Sequence, residues 1–221
     1  MKKISAMLVA TAAMAVIPMT SFAGITGIGG GVKVGTLGTG LEVNYAVSSM
    51  FSVTAGINTF SRGMSQSASG IDYDVDLNLQ TIALLANYHP FGGSFRLTAG
   101  AMINNNELSM KADPSATYDI GDLTYTSAEV GTLKAAVDFN RIAPYAGLGW
   151  GHSSGSGIGF TLDIGVLMQG SPNVDFSAKG GTLSSDPAFQ AELAKEESNA
   201  EDDIKGFDIY PVIAAGINLR F

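Results

Sequence analysis

The chain has 221 residues, with 12 Lys and Arg against 20 Asp and Glu. An apolar share of 46% excludes a disordered chain, and the acidic balance excludes an electrostatic nucleic-acid binder. The absence of Cys removes disulfides, thiolate metal centres and catalytic thiols together.

Charged residues make up only 14%, against a usual share of about 25%. Mean hydropathy is +0.23, high for a soluble protein, so the first question is where the apolar residues lie. Lys2 and Lys3 precede an apolar stretch over residues 4–17, and Pro18 breaks it. Ser21 and Ala23 are small residues at the −3 and −1 positions of a cleavage site. This layout predicts a secretory signal over residues 1–23, removed after Ala23. The apolar stretch is shorter than the ~20 residues a spanning helix needs. The mature chain, residues 24–221, loses Lys2 and Lys3, which leaves 10 basic against 20 acidic residues.

After Ala23 the apolar residues alternate. Leu41, Val43, Tyr45 and Val47 are separated by Glu42, Asn44 and Ala46. Phe51, Val53, Ala55 and Ile57 follow the same period, as do Leu97 to Ile103, Ile158 to Met168, and Ile213 to Phe221. Period two is the mark of strands with one apolar face. The other face is Gly, Ser, Thr and Asn with sparse charges. Behind a signal segment, this predicts an all-β fold, a transmembrane antiparallel up-and-down β-barrel with its apolar face in lipid. A secreted soluble barrel is the competing reading.

Eight strands are traced at 28–36, 39–48, 50–61, 72–88, 95–111, 136–150, 157–170 and 208–221, an even number, as closure of a single-chain barrel requires. Ten is the alternative. A tight turn is expected at Leu37-Gly38. Short turns at Ser48-Ser49, at residues 89–93 and at residues 151–156 are expected on the periplasmic side, with long loops at 61–71, 112–135 and 171–207 outside. Tyr45, Phe51, Tyr88, Phe91, Phe95, Tyr145, Trp150 and Phe221 are expected as one interfacial girdle, and Phe60, Tyr73, Phe139 and Phe207 as the other. In the last loop, Asp186-Pro187 reads as an N-cap and first helical position, followed by helix formers over residues 188–204. From Asp186 to Lys205 there are seven acidic and two basic residues. Either a solvated helix over the barrel mouth or a cation-gathering lid fits them.

The inward faces are expected to carry Glu42, Asp74, Asp76, Asn78, Gln80, Arg96, Arg141, Asp163 and Arg220. Asp72, Asp74, Asp76 and Asn78 share one strand face. They read as partners of interior Arg, since buried charges must be paired, or as an acidic lining for cationic solutes. A calcium loop would need a Gly at its sixth position and a late Glu, both missing here. The glycine run at 27–31 lacks the helix and Lys of a phosphate loop. No cofactor is expected.

The chain ends on Phe221 in an alternating strand, with Gly216, Leu219 and Phe221 spaced like the C-terminal signal read by outer-membrane assembly machinery; such a strand can pair at a barrel seam by β-augmentation. Val34-Gly35-Thr36-Leu37-Gly38, Tyr88-His89-Pro90-Phe91-Gly92, residues 143–150 (APYAGLGW), Gly170-Ser171-Pro172-Asn173-Val174-Asp175 and Tyr210-Pro211-Val212 follow in order. In that order they resemble the small eight-stranded outer-membrane barrels of Gram-negative bacteria, the CarO-like and OmpW-like proteins. The resemblance implies the fold, an outer-membrane location, contact with outer-membrane lipid and a role in passing small solutes, in the CarO type often basic amino acids. Bottom-up, an eight-stranded interior is just wide enough for side chains to fill, so a narrow channel fits and a wide porin does not. A structural or adhesive barrel acting through its loops is the second reading, and a lipid-modifying enzyme the third. His89 and His152 both fall in expected periplasmic turns, the wrong end for outer-leaflet chemistry.

Overall fold

The computed structural model describes residues 27–68, 71–112, 117–151 and 157–220. The expected signal segment with its cleavage after Ala23, His152 and the terminal Phe221 lie outside them. Four strands run first in hairpins: β1 (Ile28–Gly35), β2 (Gly38–Ala46), β3 (Phe51–Ala68) and β4 (Ile71–Tyr88). Then come β5 (Phe95–Asn104), β6 (Glu107–Ala112), β7 (Thr117–Ile120), β8 (Leu123–Thr126), a single helical turn α1 (Ser127–Val130) and β9 (Gly131–Asp138). The chain finishes with β10 (Ile142–Gly151), β11 (Gly157–Met168), β12 (Asn173–Gly180), α2 (Pro187–Ile204) and β13 (Ile209–Arg220).

The ladders close in the order β1, β2, β3, β4, β5, β10, β11, β13 and back to β1, every pair antiparallel. That is an eight-stranded barrel, not ten. β1 and β2 are separated by Thr36 and Leu37 alone, with Gly38 at φ 94°. A Cβ on Gly38 would stand 2.3 Å from the Thr59 carbonyl oxygen, so both the backbone sign and the space demand glycine there. At the other end Ser48 Oγ accepts from the Met50 and Phe51 amides and tightens the β2–β3 turn.

The long loops are not irregular. β3 and β4 stay paired from Phe51↔Tyr88 to Ala68↔Ile71, so the loop expected at 61–71 is the top of a tall ribbon. Beyond Gln80, β4 exchanges β5 for β6, and β6, β9 and β12 continue the sheet. The chain therefore builds an open sheet in the order β3, β4, β6, β9, β12 above the barrel. A β7–β8 hairpin and α2 pack on its inner face around Tyr118, Ile120, Tyr125, Val130, Phe189 and Leu193. Asp186 caps α2 as expected, accepting from the Ala188 and Phe189 amides at 2.9 and 3.1 Å.

Below, the outward face of the barrel is an apolar belt, with Phe160 77% exposed and Leu84 64% exposed. Such a continuous patch is far beyond what water tolerates on a monomer. On β11 it runs from Ile158 to Met168. At about 3.3 Å per residue and a tilt near 40°, that is roughly 25 Å, the height of a membrane barrel's apolar band. Aromatic pairs rim its turn end: Phe51 with Tyr88 at 5.0 Å, Phe91 with Phe95 at 6.2 Å and Phe95 with Trp150 at 5.5 Å. Tyr145 does not join that girdle, because its odd-numbered register on β10 points it inward, where it is buried. Tyr73 likewise packs inside the upper sheet rather than on an outer girdle.

Candidate functional site in the barrel lumen

Polar groups fill the lower half of the lumen. Lys33 meets Glu42 at 3.3 Å, and Arg96 meets Asp163 at 2.5 Å. Asn44 donates to Glu42 at 3.2 Å, Thr54 donates to Asn44, and Asn87 donates to Thr54 at 2.8 Å and to Ser52 at 3.2 Å. Thr98 closes the run by donating to Asn87 at 2.8 Å. The hydrogen-bonded side chains thus run round the inner wall from β1 to β5, and Arg96 continues them past β10 to Asp163 on β11, as buried polar groups require.

The glycines of β10 and β11 make this possible. A Cβ on Gly149 would stand 2.5 Å from Asp163 Oδ1 and 2.6 Å from Arg96 Nε. On Gly165 it would meet the Tyr145 hydroxyl at 2.4 Å. These glycines therefore make room on the inner wall for two large side chains, Arg96 and Tyr145, that lie over them.

Above the ion pairs the interior turns apolar. Leu37, Leu85, Met102, Tyr145, Leu167 and Val212 form one buried cluster. The room open to the centre of a water molecule is about 30 Å³ between this plug and the ion pairs, and about 40 Å³ at the turn end. Each holds a few waters at most. Above the plug, Asn58 donates to Thr81 at 2.9 Å, and the buried atoms Asn104 Nδ2, Asn106 Nδ2 and Gln169 Oε1 have no protein partner among the described residues.

The expected lumen residues divide. Glu42, Arg96 and Asp163 face the interior in the two ion pairs, and Arg220 lines the turn-end cavity. Arg141 does not line the lumen: it is exposed in the bend between β9 and β10. Asp74 and Asp76, expected at the lumen, do not line it either. They share the outward face of β4 with Ile82 and Leu84 and are exposed above the belt, with Asp74 accepting from Ser65 at 2.9 Å. Asn78 and Gln80 lie on that same outward face. The reason is parity: Tyr73, Val75, Leu77 and Leu79 take the inward positions because the upper sheet has an apolar inside. Gly216 faces inward where a Cβ would stand 2.6 Å from the Val32 oxygen, and Leu219 lies at the outward register positions of β13.

Lys33 is the lumen charge that sequence reasoning missed. Its alternation with Val32 and Val34 is the signal that finds it, since both valines are exposed on the belt. The plug carries no such signal, because Leu85 and Met102 read like any strand residue.

The acidic helix has a definite task. Glu197 and Glu201 accept from the Phe176 and Val174 amides at 2.8 and 3.1 Å, so α2 covers the edge of β12. Glu192 and Glu196 accept from the Asp122 and Gly121 amides at 3.1 and 3.3 Å, and Lys195 pairs with Asp122. These four carboxylates hold backbone rather than gather cations.

A closed eight-stranded antiparallel barrel with an apolar belt and a packed polar lumen is the architecture of the small membrane β-barrels. Two solved structures share it. Acinetobacter baumannii CarO2 superposes with a TM-score of 0.58 at 21% identity, over 89% of this chain and 99% of that one. Acinetobacter baumannii CarO does so with 0.54 at 23% identity, over 87% and 97%. No family model and no curated protein matches the chain.

Proposed function

We propose that the protein is an outer-membrane barrel that closes its own lumen and carries a folded sheet-and-helix unit on the outer surface. In this reading the signal segment directs export, Gly216, Leu219 and Phe221 mark the last strand for the assembly machinery, and the belt lies in outer-membrane lipid. The short turns then face the periplasm, and β6–β9, β12 and α2 face outward. The observation that carries the reading is the buried plug of Leu37, Leu85, Met102, Tyr145, Leu167 and Val212 set above two ion pairs. The barrel is an anchor, and its activity resides in the outer unit; no catalytic step is assigned to it.

A second reading is a gated narrow path for small solutes. It is favoured by the hydrogen-bonded polar layer beneath the plug, which a simple anchor does not need. The lumen charges Lys33, Glu42, Arg96, Asp163 and Arg220 are not predominantly acidic, so this path has no built-in cation preference. Planar-bilayer recording separates the two. The anchor reading expects no steady conductance from the wild type and a small one from Leu85→Ala with Met102→Ala. A steady wild-type conductance would replace it with the channel.

A further inference from the structure

We propose that the free edge of β3 over residues 61–65 is a docking site for an extended peptide segment of another protein. The segment adds as a further strand and carries a carboxylate between apolar residues on its inward side. The inference concerns the outer sheet alone and holds whether or not the barrel conducts, and so goes beyond the function proposed above.

The backbone ladder comes first. The Val47 amide donates to the Phe51 oxygen at 2.9 Å on the β2 side, and the His89 amide donates to the Met50 oxygen at 2.8 Å on the β4 side. Odd-numbered residues of β3 therefore turn their backbone groups toward β2, and even-numbered ones toward β4. The ladder with β2 ends at Thr39↔Thr59, whereas the ladder with β4 runs without a bulge to Ala68↔Ile71. Ser61, Gly63 and Ser65 thus present N–H and C=O groups to an open side, where no backbone bond reaches them among the described residues. The opposite edge of the same sheet, β12, is covered by Glu197 and Glu201 of α2. Proteins blunt a bare edge with Lys, Pro, a bulge, a covering element or an inward charge. Residues 61–65 have only the last of these, Arg62. An inward charge turns away an apolar or basic strand and selects one that pairs it.

The side chains say which strand fits. Ser61 and Ser65 turn away from the edge to donate to Asn78 at 2.7 Å and Asp74 at 2.9 Å. Asp76 Oδ1 lies 2.9 Å from where a Cβ of Gly63 would stand. The outward side of the edge is thus low and has acidic neighbours, so it suits an uncharged residue such as Thr. Inward, Phe60 and Met64 are half-buried, and Arg62 is exposed between them. Arg62 makes no ion pair among the described residues. Its inward neighbours on β4, Val75 and Leu77, are apolar. A strand laid on the edge covers Arg62, and a covered charge must be paired; a carboxylate directly across does so, with apolar residues beside Phe60 and Met64. The β3 edge of a second copy in the same membrane does not supply this strand. Both strands would rise from one surface at a tilt of about 40°, and a two-fold axis along the membrane normal makes them cross instead of pair.

The test uses the folded full-length mature chain in neutral detergent and the end-blocked peptide Thr-Val-Thr-Glu-Thr-Val-Thr. This sequence reads the same in both directions, so it fits a parallel or an antiparallel ladder. It is expected to bind saturably and to slow amide exchange at Ser61, Gly63 and Ser65 about tenfold, while Arg62 and Met64, already turned to β4, stay unchanged. The same peptide with Lys in place of Glu should bind about fivefold more weakly, and Arg62→Glu should invert that order. Gly63→Pro removes only an N–H that faces the open side, which an edge strand tolerates, and the Asp76 carboxylate can turn aside. That variant should fold, as heat-modifiable gel migration checks, and should lose the peptide. Equal binding of the Glu and Lys peptides, binding that survives Gly63→Pro, or no saturation each overturns the proposal. Slow exchange at the three amides in the protein alone, growing with its concentration, assigns the edge to a second copy and overturns it as well.

Discussion

The Arg96–Asp163 pair discriminates between a dry and a wet lumen, and Asp163→Asn is the substitution that asks the question. The two groups meet at 2.5 Å with side-chain exposures of 13% and 16%. Removing the carboxylate leaves a guanidinium in the barrel centre, beside cavities that admit only a few waters. Breaking a buried pair costs about 3–5 kcal/mol because the remaining charge is uncompensated, whereas an exposed pair contributes about 0–1. The small water spaces on either side place the expected loss at the lower end, about 3 kcal/mol. Replacing both partners, as Arg96→Met with Asp163→Leu, removes the stranded charge and should cost about 1 kcal/mol or less. The double variant is thus expected to be more stable than either single one. Gly149→Ala should weaken the same pair, since its Cβ would overlap both Asp163 Oδ1 and Arg96 Nε. Urea unfolding from detergent micelles is read by fluorescence of Trp150, the one Trp of the chain. A loss below about 1 kcal/mol for Asp163→Asn, with additive single and double variants, would refute the argument and mean that bulk water reaches the pair.

Two further outcomes follow from the turn end and the outer unit. Because His89 titrates below the ordinary 6.5 in the fold, the unfolded chain binds its proton more readily; stability should therefore fall as pH drops from that value through the lowered one, and His89→Gln should remove that part of the slope in unfolding midpoints. Glu197→Ala with Glu201→Ala strips the acceptors from the β12 edge and should cost about 1 kcal/mol per bond, seen as faster hydrogen exchange at Val174 and Phe176, while Glu→Gln at both, which keeps an acceptor, should largely restore protection.

The barrel was legible in the sequence because its rule is simple. One closed ladder with lipid on the outside imposes period two with one apolar phase, and strands such as 41–47 and 158–168 keep an apolar residue at every outward position. The α2 boundary was legible because Asp186-Pro187 is local chemistry. What the sequence hid depends on partners far apart in the chain. β12 reads as loop because its strand is short and its neighbour is β9; the ladder exists only once the barrel has brought the two together. Leu85, Met102, Leu167 and Val212 become a plug only when they face inward from four strands. The acidic run of α2 looked like a solvated face because carboxylates that bind backbone amides leave no trace in composition.

Asp74 and Asp76, on the outward face, mark a level at which the outside of the sheet changes character. Along β4 the outward positions are polar at Asp74, Asp76, Asn78 and Gln80, then apolar at Ile82, Leu84 and Ala86. The strand is unbroken from Ile71 to Tyr88, so the geometric parity never changes; what inverts is which face is apolar. On β5 and β6 the odd run through Ile103 gives way to Leu108, Met110 and Ala112 across Asn104-Asn105-Asn106. These inversions align in space: Thr59 faces Gln80, Thr81 faces Asn104, and the Asn105 amide donates to the Gln80 oxygen. A protein in lipid is apolar outside, and one in water is apolar inside, so this level is where the solvent changes. The chain has no Cys, which permits single-cysteine labels on the outward face at Leu84, Ile82, Asn78 and Asp76. Successive outward positions climb about 5 Å along a tilted strand, so labels in vesicles should pass from quenching by lipid-soluble oxygen at Leu84 and Ile82 to quenching by a water-soluble nickel chelate at Asn78 and Asp76. A boundary elsewhere, with Asp76 in lipid or Leu84 in water, would contradict both the phase argument and the membrane placement built on it.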